Sequence, residues 1–123
     1  MKEPDTFCAL GITNQDLYST KCNFVFGLAN REHASGVFSF CRFKPDYPGN
    51  EGLGGNLVQK VCYVVAHEIS HMFGLKHCIY YECLMNGTNS AQELARKHSH
   101  TICLVCLKKL KINLKFDTKV WLE

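Results

Sequence analysis

The first third of the chain contains three short apolar stretches that polar residues separate. They are residues 6–13, 23–29 and 37–43, and they contain many aromatic and β-branched side chains. Runs of this length and composition are typical of strands that are buried in a sheet. The pattern therefore predicts three strands, and Gly27 within the second predicts a bulge or a point of close backbone approach.

A loop and then a long apolar helix are predicted next. Residues 44–56 contain two prolines and four glycines, which indicates a surface loop. Asn56 can cap a helix that begins at Leu57. The stretch 57–66 is apolar almost all round, which is typical of a helix buried between a sheet and a cleft. Such a helix would hold the side chains that follow it rigidly.

Two further helices are predicted towards the end of the chain. Ser90 is a candidate helix cap, with Glu93 three residues later. Residues 103–110 open a final helical pattern, and residues 112–123 are amphipathic but weakly marked. The chain contains no internal repeat and no low-complexity tract.

Composition limits the chain to one globular domain. Its 123 residues are 46% hydrophobic and 20% charged, which suffices for a single core and leaves no room for a second domain. No segment approaches the roughly 18 apolar residues of a membrane span, and the first residues lack the apolar run of a signal peptide. We therefore expect one domain over residues 1–123, a cytoplasmic or nuclear location and no membrane partner.

The charge balance is too mild to indicate a polyanionic partner. Fourteen basic and eleven acidic side chains give a net charge of +3. Six basic residues of the second half lie on short helical stretches without interleaved aromatic residues, which favours solvated faces over nucleic-acid binding. These residues are Arg96, Lys97, Lys108, Lys109, Lys111 and Lys115. We therefore expect no nucleic-acid partner.

The strongest chemical signal is the stretch from His67 to Cys78. On a helix, His67 and His71 stand one above the other, about 6 Å apart along the axis, so that both rings can reach one metal ion. Glu68 lies roughly 100° round the helix from His67. That position is poor for a ligand but suits a general base that hydrogen-bonds a water on the metal.

A glycine turn can deliver a third histidine to the same ion. Gly74 stands where a helix that carries His71 would have to end, and a glycine there can adopt the left-handed conformation that reverses the chain. The turn brings His77 back as a third ligand. Three imidazoles leave a zinc ion with an open position for water, whose pKa falls to about 7. An accidental histidine cluster is the alternative, and the spacing of Gly74 and His77 disfavours it.

Four cysteines have the spacing of a second, structural zinc site. Cys78 and Cys83 form a Cys-x4-Cys pair, and Cys103 and Cys106 form a Cys-x2-Cys pair. Four thiolates at such spacings can close a tetrahedral zinc. Two disulfides or buried thiols are the alternatives, and a Cys-x2-Cys pair seldom serves a simple disulfide. Because Cys78 follows His77, this site would also fix the turn that delivers the third histidine.

The remaining cysteines and histidines lack ligand spacing. We interpret these cysteines as small core residues or free thiols. We interpret these histidines as solvated side chains. The residues are Cys8, Cys22, Cys41, Cys62, His33, His98 and His100.

The two sites in combination resemble one known family. The pattern His67-Glu68-x-x-His71-x-x-Gly74-x-x-His77-Cys78-x4-Cys83-x-Met85-x17-Cys103-x2-Cys106 resembles the archaemetzincins, a branch of the metzincin zinc peptidases. The resemblance runs from about residue 7 to residue 110. It implies an α+β, metzincin-like zinc-peptidase domain with a short mixed sheet, an active-site helix and a helical C-terminal lobe stabilised by zinc.

The resemblance also assigns roles and partners. It implies two zinc ions, a catalytic one on the three histidines and a structural one on the four cysteines, with Glu68 as general base and Met85 as the methionine of the Met-turn. Residues 1–56 would form the sheet lobe, 57–77 the active-site helix and turn, and 78–123 the C-terminal lobe. A peptide or protein substrate would add itself as a strand to a sheet edge within residues 23–30.

Two departures from the family pattern bear on the expectations. The family usually has a glycine where Ser70 stands, so the packing of that helix face is in question. The chain is also expected to be truncated, lacking the first strand and the helix that backs the sheet. An uncovered sheet would expose Phe24, Phe26, Phe38 and Phe40 and invite a protein partner. The alternative function is therefore a catalytically impaired zinc-binding module that acts in protein interaction.

Overall fold

The computed structural model describes residues 6–52, 54–88, 90–95 and 101–115 as a mixed α+β fold. Within these residues the strands precede the helices along the chain. The strands are β1 (Ala9–Thr13), β2 (Leu17–Ser19), β3 (Cys22–Val25), β4 (Gly27–Asn30) and β5 (Ser35–Ser39). A short 3-10 helix follows at Cys41–Phe43, and the α-helices are α1 (Leu57–Met72), α2 (Ala91–Ala95) and α3 (Leu104–Leu114).

The main sheet has the strand order β1-β5-β4. Strand β5 pairs parallel with β1 and antiparallel with β4, and Leu10 lies opposite Gly36 and Gly27 opposite Phe38. Strands β2 and β3 form a separate antiparallel hairpin. Among the described strands, β4 therefore has one edge without a neighbour.

The second predicted strand is in fact two strands that belong to different sheets. The chain bends at Phe26 between β3 and β4, and the backbone N–H of Ser39 donates to the Phe26 carbonyl at 2.8 Å. The Phe26 ring packs against that of Phe43, with 4.7 Å between centroids. The apolar pattern of the sequence continues through this bend, so it could not reveal that β3 and β4 pair with different strands. The third predicted strand is likewise shorter than expected, because its last residues form the 3-10 helix.

Helix α1 packs across β4 and β5, and two strand glycines make this contact close. A Cβ atom on Gly36 would stand 2.6 Å from the terminal methyl of Met72, and one on Gly27 would stand 2.8 Å from the carboxyl carbon of Glu68. Gly27 is therefore the point of close backbone approach that the sequence suggested. The predicted cap is also present, since the Asn56 side chain accepts from the backbone N–H of Val58 at 2.8 Å.

The expected exposure of the four strand phenylalanines is wrong. Phe38 is 0% exposed in the core, and Phe24, Phe26 and Phe40 are partly buried. The face of β4 and β5 that carries Phe38 packs against α1. The neighbouring residues along each strand point to the opposite face, which α1 does not cover. Leu28, which lies opposite Val37 on the other face, is 46% exposed.

Ser70, where the family usually has a glycine, fits the helix without disturbing it. Its side chain is buried, and its hydroxyl donates to the carbonyl of Ala66 at 2.8 Å within the same helix. The hydroxyl is thus satisfied locally and needs no partner on the neighbouring element.

The C-terminal helices begin where the sequence indicated. The backbone N–H of Glu93 donates to the Ser90 hydroxyl at 3.0 Å, and Cys103 caps α3 by accepting from the N–H of Cys106. His98 and His100 lie outside the described residues. None of the helices that the structure describes is long and apolar enough to cross a membrane.

Candidate metal centres

The three predicted histidine ligands converge on one point. One ring nitrogen from each of His67, His71 and His77 lies within 4.8 Å of the others. The Nε2 atoms of His67 and His71 are 3.0 Å apart. Nitrogens bound to a tetrahedral zinc at about 2.0–2.1 Å lie roughly 3.3 Å from each other. The cluster therefore has the donor chemistry and nearly the spacing of a three-histidine zinc site.

Backbone carbonyls orient the first two imidazoles. His67 Nδ1 lies 2.8 Å from the carbonyl oxygen of Leu84, and His71 Nδ1 lies 2.6 Å from that of Leu75. An imidazole that donates from Nδ1 keeps the lone pair on Nε2, which is the atom that faces the shared centre. The hydroxyl of Tyr63 also donates to the Leu84 carbonyl, at 2.9 Å. Burial and the neighbouring Cys83 raise the pKa of Tyr63 to about 12.

The turn that delivers His77 depends on Gly74. Its φ angle is +91°, a left-handed conformation that residues with a side chain rarely adopt. The Gly74 N–H donates to the His71 carbonyl at 3.0 Å and so closes the helix. The side chain of Asn113 on α3 donates to the carbonyl of Phe73 at 2.7 Å. The end of α1 is therefore held both by its own backbone and by the last helix.

Glu68 lies beside the histidine cluster in a largely dehydrated position. It is 7% exposed, and its side chain packs against the backbone of β4 at Gly27. Burial raises the pKa of Glu68 to about 7. A carboxylate held this way can accept and return a proton near neutral pH.

The segment after His77 lies close to that ligand. Met85 is 0% exposed, and its carbonyl accepts from the backbone N–H of Cys78 at 2.8 Å. A Cβ atom on Gly87 would stand 3.1 Å from Nδ1 of His77. The loop therefore passes directly against the third imidazole, and the Met-turn role of Met85 stays a prediction.

The four predicted cysteines form a second cluster. Their sulfur atoms all lie within 4.8 Å of one another, and Sγ of Cys78 is 3.9 Å from Sγ of Cys103. Sulfurs bound to a tetrahedral zinc at about 2.3 Å lie roughly 3.8 Å apart. No disulfide joins these cysteines. The backbone N–H groups of Met85 and Cys103 donate to Sγ of Cys83, at 3.4 and 3.3 Å.

The protonation of the thiols also fits a cation. Burial alone would raise the pKa of Cys78. Hydrogen bonds from the backbone N–H groups of Tyr80 and Tyr81 outweigh this effect and lower the pKa to about 7. Burial raises the pKa of Cys83 and Cys106. Four neighbouring thiolates require a compensating charge such as Zn²⁺.

A cleft of about 740 Å³ opens above the histidines. Strands β3 and β4 form one wall, and helix α1 forms the other. Its lining residues are Asn23, Phe24, Val25, Phe26, Gly27, Leu28, Ala29, Arg31, Val64, His67, Glu68, His71, His77 and Thr88. Residues of β4 line the cleft, and β4 has one edge without a neighbour among the described strands, so an extended chain can lie beside it.

Several residues at these centres could not be found from sequence spacing. Leu84 acts through its backbone carbonyl, which is the same in every residue type and leaves no sequence signal. Asn113 and Arg31 lie far along the chain from the residues that they contact. Gly87 had only a turn signal, the Asn-Gly pair, which gave no hint of its contact with His77.

A buried acid between two helical histidines, with a third histidine beyond a glycine turn, is a ligand set that zinc peptidases use. Comparison with known proteins agrees. The sequence model of peptidase family M54 matches residues 4–112. The chain belongs to this family, the archaemetzincins.

The relatives that this chain resembles are longer proteins. It is 34% identical to archaemetzincin-2 of Pongo abelii, over 95% of this chain and 39% of that protein. It is 37% identical to archaemetzincin of Thermococcus kodakarensis, over 86% of this chain and 56% of that protein. A crystal structure of archaemetzincin from Methanopyrus kandleri is similar with a TM-score of 0.77 and 34% identity, over 94% of this chain and 60% of that one. The chain thus spans about two fifths to three fifths of these relatives.

Proposed function

We propose that this chain is a zinc-dependent peptidase domain that hydrolyses peptide bonds in the cleft above the three histidines. The observation that carries the proposal is the convergence of three imidazole nitrogens within 4.8 Å, beside the buried carboxylate of Glu68. Family membership supports the same activity. The proposal includes two zinc ions, one on the histidines and a structural one on the four cysteines.

Each residue of the site has a distinct role in the proposed reaction. A zinc ion on His67, His71 and His77 would supply a water of lowered pKa and a Lewis acid for the substrate carbonyl. Glu68 accepts a proton from the attacking water and returns it to the leaving amine. The carbonyls of Leu84 and Leu75 hold two of the rings in the tautomer that directs Nε2 inward. Because Glu68 is dehydrated, its proton transfers do not have to displace solvent.

The substrate is proposed to bind as an added strand. Strand β4 has a free edge among the described strands and borders the cleft. Backbone hydrogen bonds from this edge would hold an extended peptide irrespective of its side chains. The peptide bond opposite Glu68 would then be the one that is cleaved.

Zinc content and turnover together test the proposal. We expect native mass spectrometry of the purified chain to show two zinc ions, and mass spectrometry of a peptide library to show cleavage. A chelator that removes zinc should abolish cleavage, and added zinc should restore it. Cleavage that survives complete removal of zinc would contradict the mechanism.

Gly27→Ala should impair catalysis without removing zinc. The new methyl group would stand 2.8 Å from the Glu68 side chain and 2.9 Å from the Val37 carbonyl, so Glu68 or β4 must move. We expect turnover to fall at least tenfold and stability to fall by about 1–3 kcal/mol, the usual cost of overpacking. Turnover, zinc content and a thermal melt measure these effects.

Gly11→Ala is the matched control for Gly27→Ala. Gly11 is also a strand glycine of the same sheet, but a Cβ atom there would make only ordinary contacts, at 3.8 Å. Its turnover and melting temperature should stay close to those of the original chain. Equal activity of the two variants would show that the contact between β4 and Glu68 is unimportant.

A non-catalytic zinc module that acts in protein interaction is the second candidate. It is favoured by the 46% exposure of Leu28 on the sheet face away from α1, where a protein partner could pack. Two bound zinc ions with no cleavage of any peptide in the library would support this candidate. The cytoplasmic or nuclear location stays a prediction, and four reduced thiols around zinc would suit such a compartment.

A further inference from the structure

A permanently charged cation, Arg31, lies in the cleft. Among the described residues that line it, Arg31 is the one lysine or arginine. Arg31 directly follows β4, and its guanidinium covers the turn at Gly74, where a Cβ atom would stand 2.9 Å from the guanidinium carbon. The missing side chain of Gly74 therefore makes room for Arg31 as well as allowing the turn.

Arg31 has no counter-ion among the residues that the structure describes. Within residues 6–52, 54–88, 90–95 and 101–115, its side chain has no hydrogen bond or ion pair. The other arginine in these ranges, Arg42, donates to both carboxylate oxygens of Asp16, at 2.8 and 2.7 Å. Arg42 is therefore paired with a carboxylate, whereas Arg31 in the cleft is available to a ligand.

The charges around Arg31 favour an anionic ligand. Glu68 is the only acidic residue among those that line the cleft, and it is buried beside the histidines. Apart from the three histidines, the other polar side chains there, Asn23 and Thr88, are neutral. A guanidinium forms paired hydrogen bonds with a carboxylate, and this geometry distinguishes a carboxylate from an amide.

We propose that Arg31 is a specificity-determining residue that binds a carboxylate of the peptide substrate, carried by an acidic side chain or by the peptide's C-terminus. This inference rests on the proposed peptidase function. Arg31 directly follows β4 and covers the turn after His71, so the carboxylate would bind at the side of the cleft where that turn lies.

The test compares alanine-rich hexapeptides that differ in one charge. A single Glu is moved through the positions, each peptide has a Gln counterpart, and each is made with a free and with an amidated C-terminus. Affinity is measured by fluorescence anisotropy on the zinc-loaded Glu68→Gln chain, which is expected to bind peptides without cleaving them. The kinetic constants kcat and KM are measured on the chain that keeps Glu68. Arg31→Gln and Arg31→Lys are each introduced into both chains.

We expect Arg31→Gln to raise Kd and KM about tenfold for the preferred carboxylate peptide and to leave kcat unchanged, because it removes an interaction that is equal in the ground and transition states. The Kd and KM of Arg31→Lys should lie between those of the original chain and those of Arg31→Gln. Peptides without a carboxylate at the preferred place should be affected less than twofold. Lys108→Gln, which removes an exposed positive charge on α3, is the control and should have no effect.

The outcomes separate the two proposals. Preference for the Glu peptides identifies a side-chain carboxylate, and preference for the free C-terminus identifies the terminal one. Equal binding of all peptides, no binding, or equal weakening of all peptides by Arg31→Gln overturns the role of Arg31, even if peptides are cleaved. Arg31-dependent binding without any cleavage would instead overturn the peptidase function and leave the carboxylate site standing.

Discussion

Glu68→Gln should lower peptide hydrolysis by about three orders of magnitude, which is within the range that a positioned general base contributes. Glutamine has nearly the same shape, so it can fill the space between α1 and Gly27. It cannot accept a proton from water at neutral pH. Measuring kcat on a peptide that the original chain cleaves gives the loss.

Zinc content and stability show whether this loss is chemical. The three histidines are unchanged in Glu68→Gln, so the zinc content should stay the same. Because burial already opposes the charged form of Glu68, a neutral amide should not lower the melting temperature. Glu51→Gln, which changes an exposed acid before α1, is the control. Full activity of Glu68→Gln with zinc bound would refute the assignment of the general base.

Cys106→Ser should remove one zinc ion and unfold most of the C-terminal part of the chain. Cys106 is 2% exposed in the first turn of α3, and its sulfur belongs to the four-cysteine cluster. A structural zinc contributes about 10–16 kcal/mol to the folding of small zinc domains, whereas whole domains are stable by only about 5–15 kcal/mol. Loss of the ion is therefore large enough to abolish a cooperative thermal melt.

The same substitution should also weaken the histidine site. The Leu84 carbonyl that orients His67 lies between Cys83 and Met85, and the Met85 carbonyl accepts from the N–H of Cys78. If the cysteine cluster loses its ion, these backbone positions are no longer fixed. Loss of an orienting partner typically lowers metal affinity by about 10–100-fold, which a titration with a competing chelator measures.

Cys62→Ser provides the comparison for Cys106→Ser. Cys62 is an exposed free thiol on α1 and lies outside the cluster. This variant should keep both zinc ions and the original melt. If Cys106→Ser also kept two zinc ions and an unchanged melt, the four-cysteine zinc site would be wrong.

The active-site helix was the most predictable part of the fold. Its cap at Asn56, its apolar surface and its end before Gly74 all depend on residues within a few positions of each other, so the sequence reports them directly. The strands were less predictable. Residues 23–29 form one continuous apolar run, but β3 pairs with β2 while β4 pairs with β5. Strand pairing is a long-range choice that such a run does not encode.

The sequence by itself determined which side chains can bind metal, because ligand spacing along a helix and across a glycine turn is local geometry. Only the tertiary structure decided how those ligands are supported. It placed the Leu84 carbonyl on His67, brought Gly27 against Glu68, laid Arg31 over Gly74 and buried Phe38. Each of these contacts joins residues far apart in the chain, often through backbone atoms, and packing of the whole domain is what selects them.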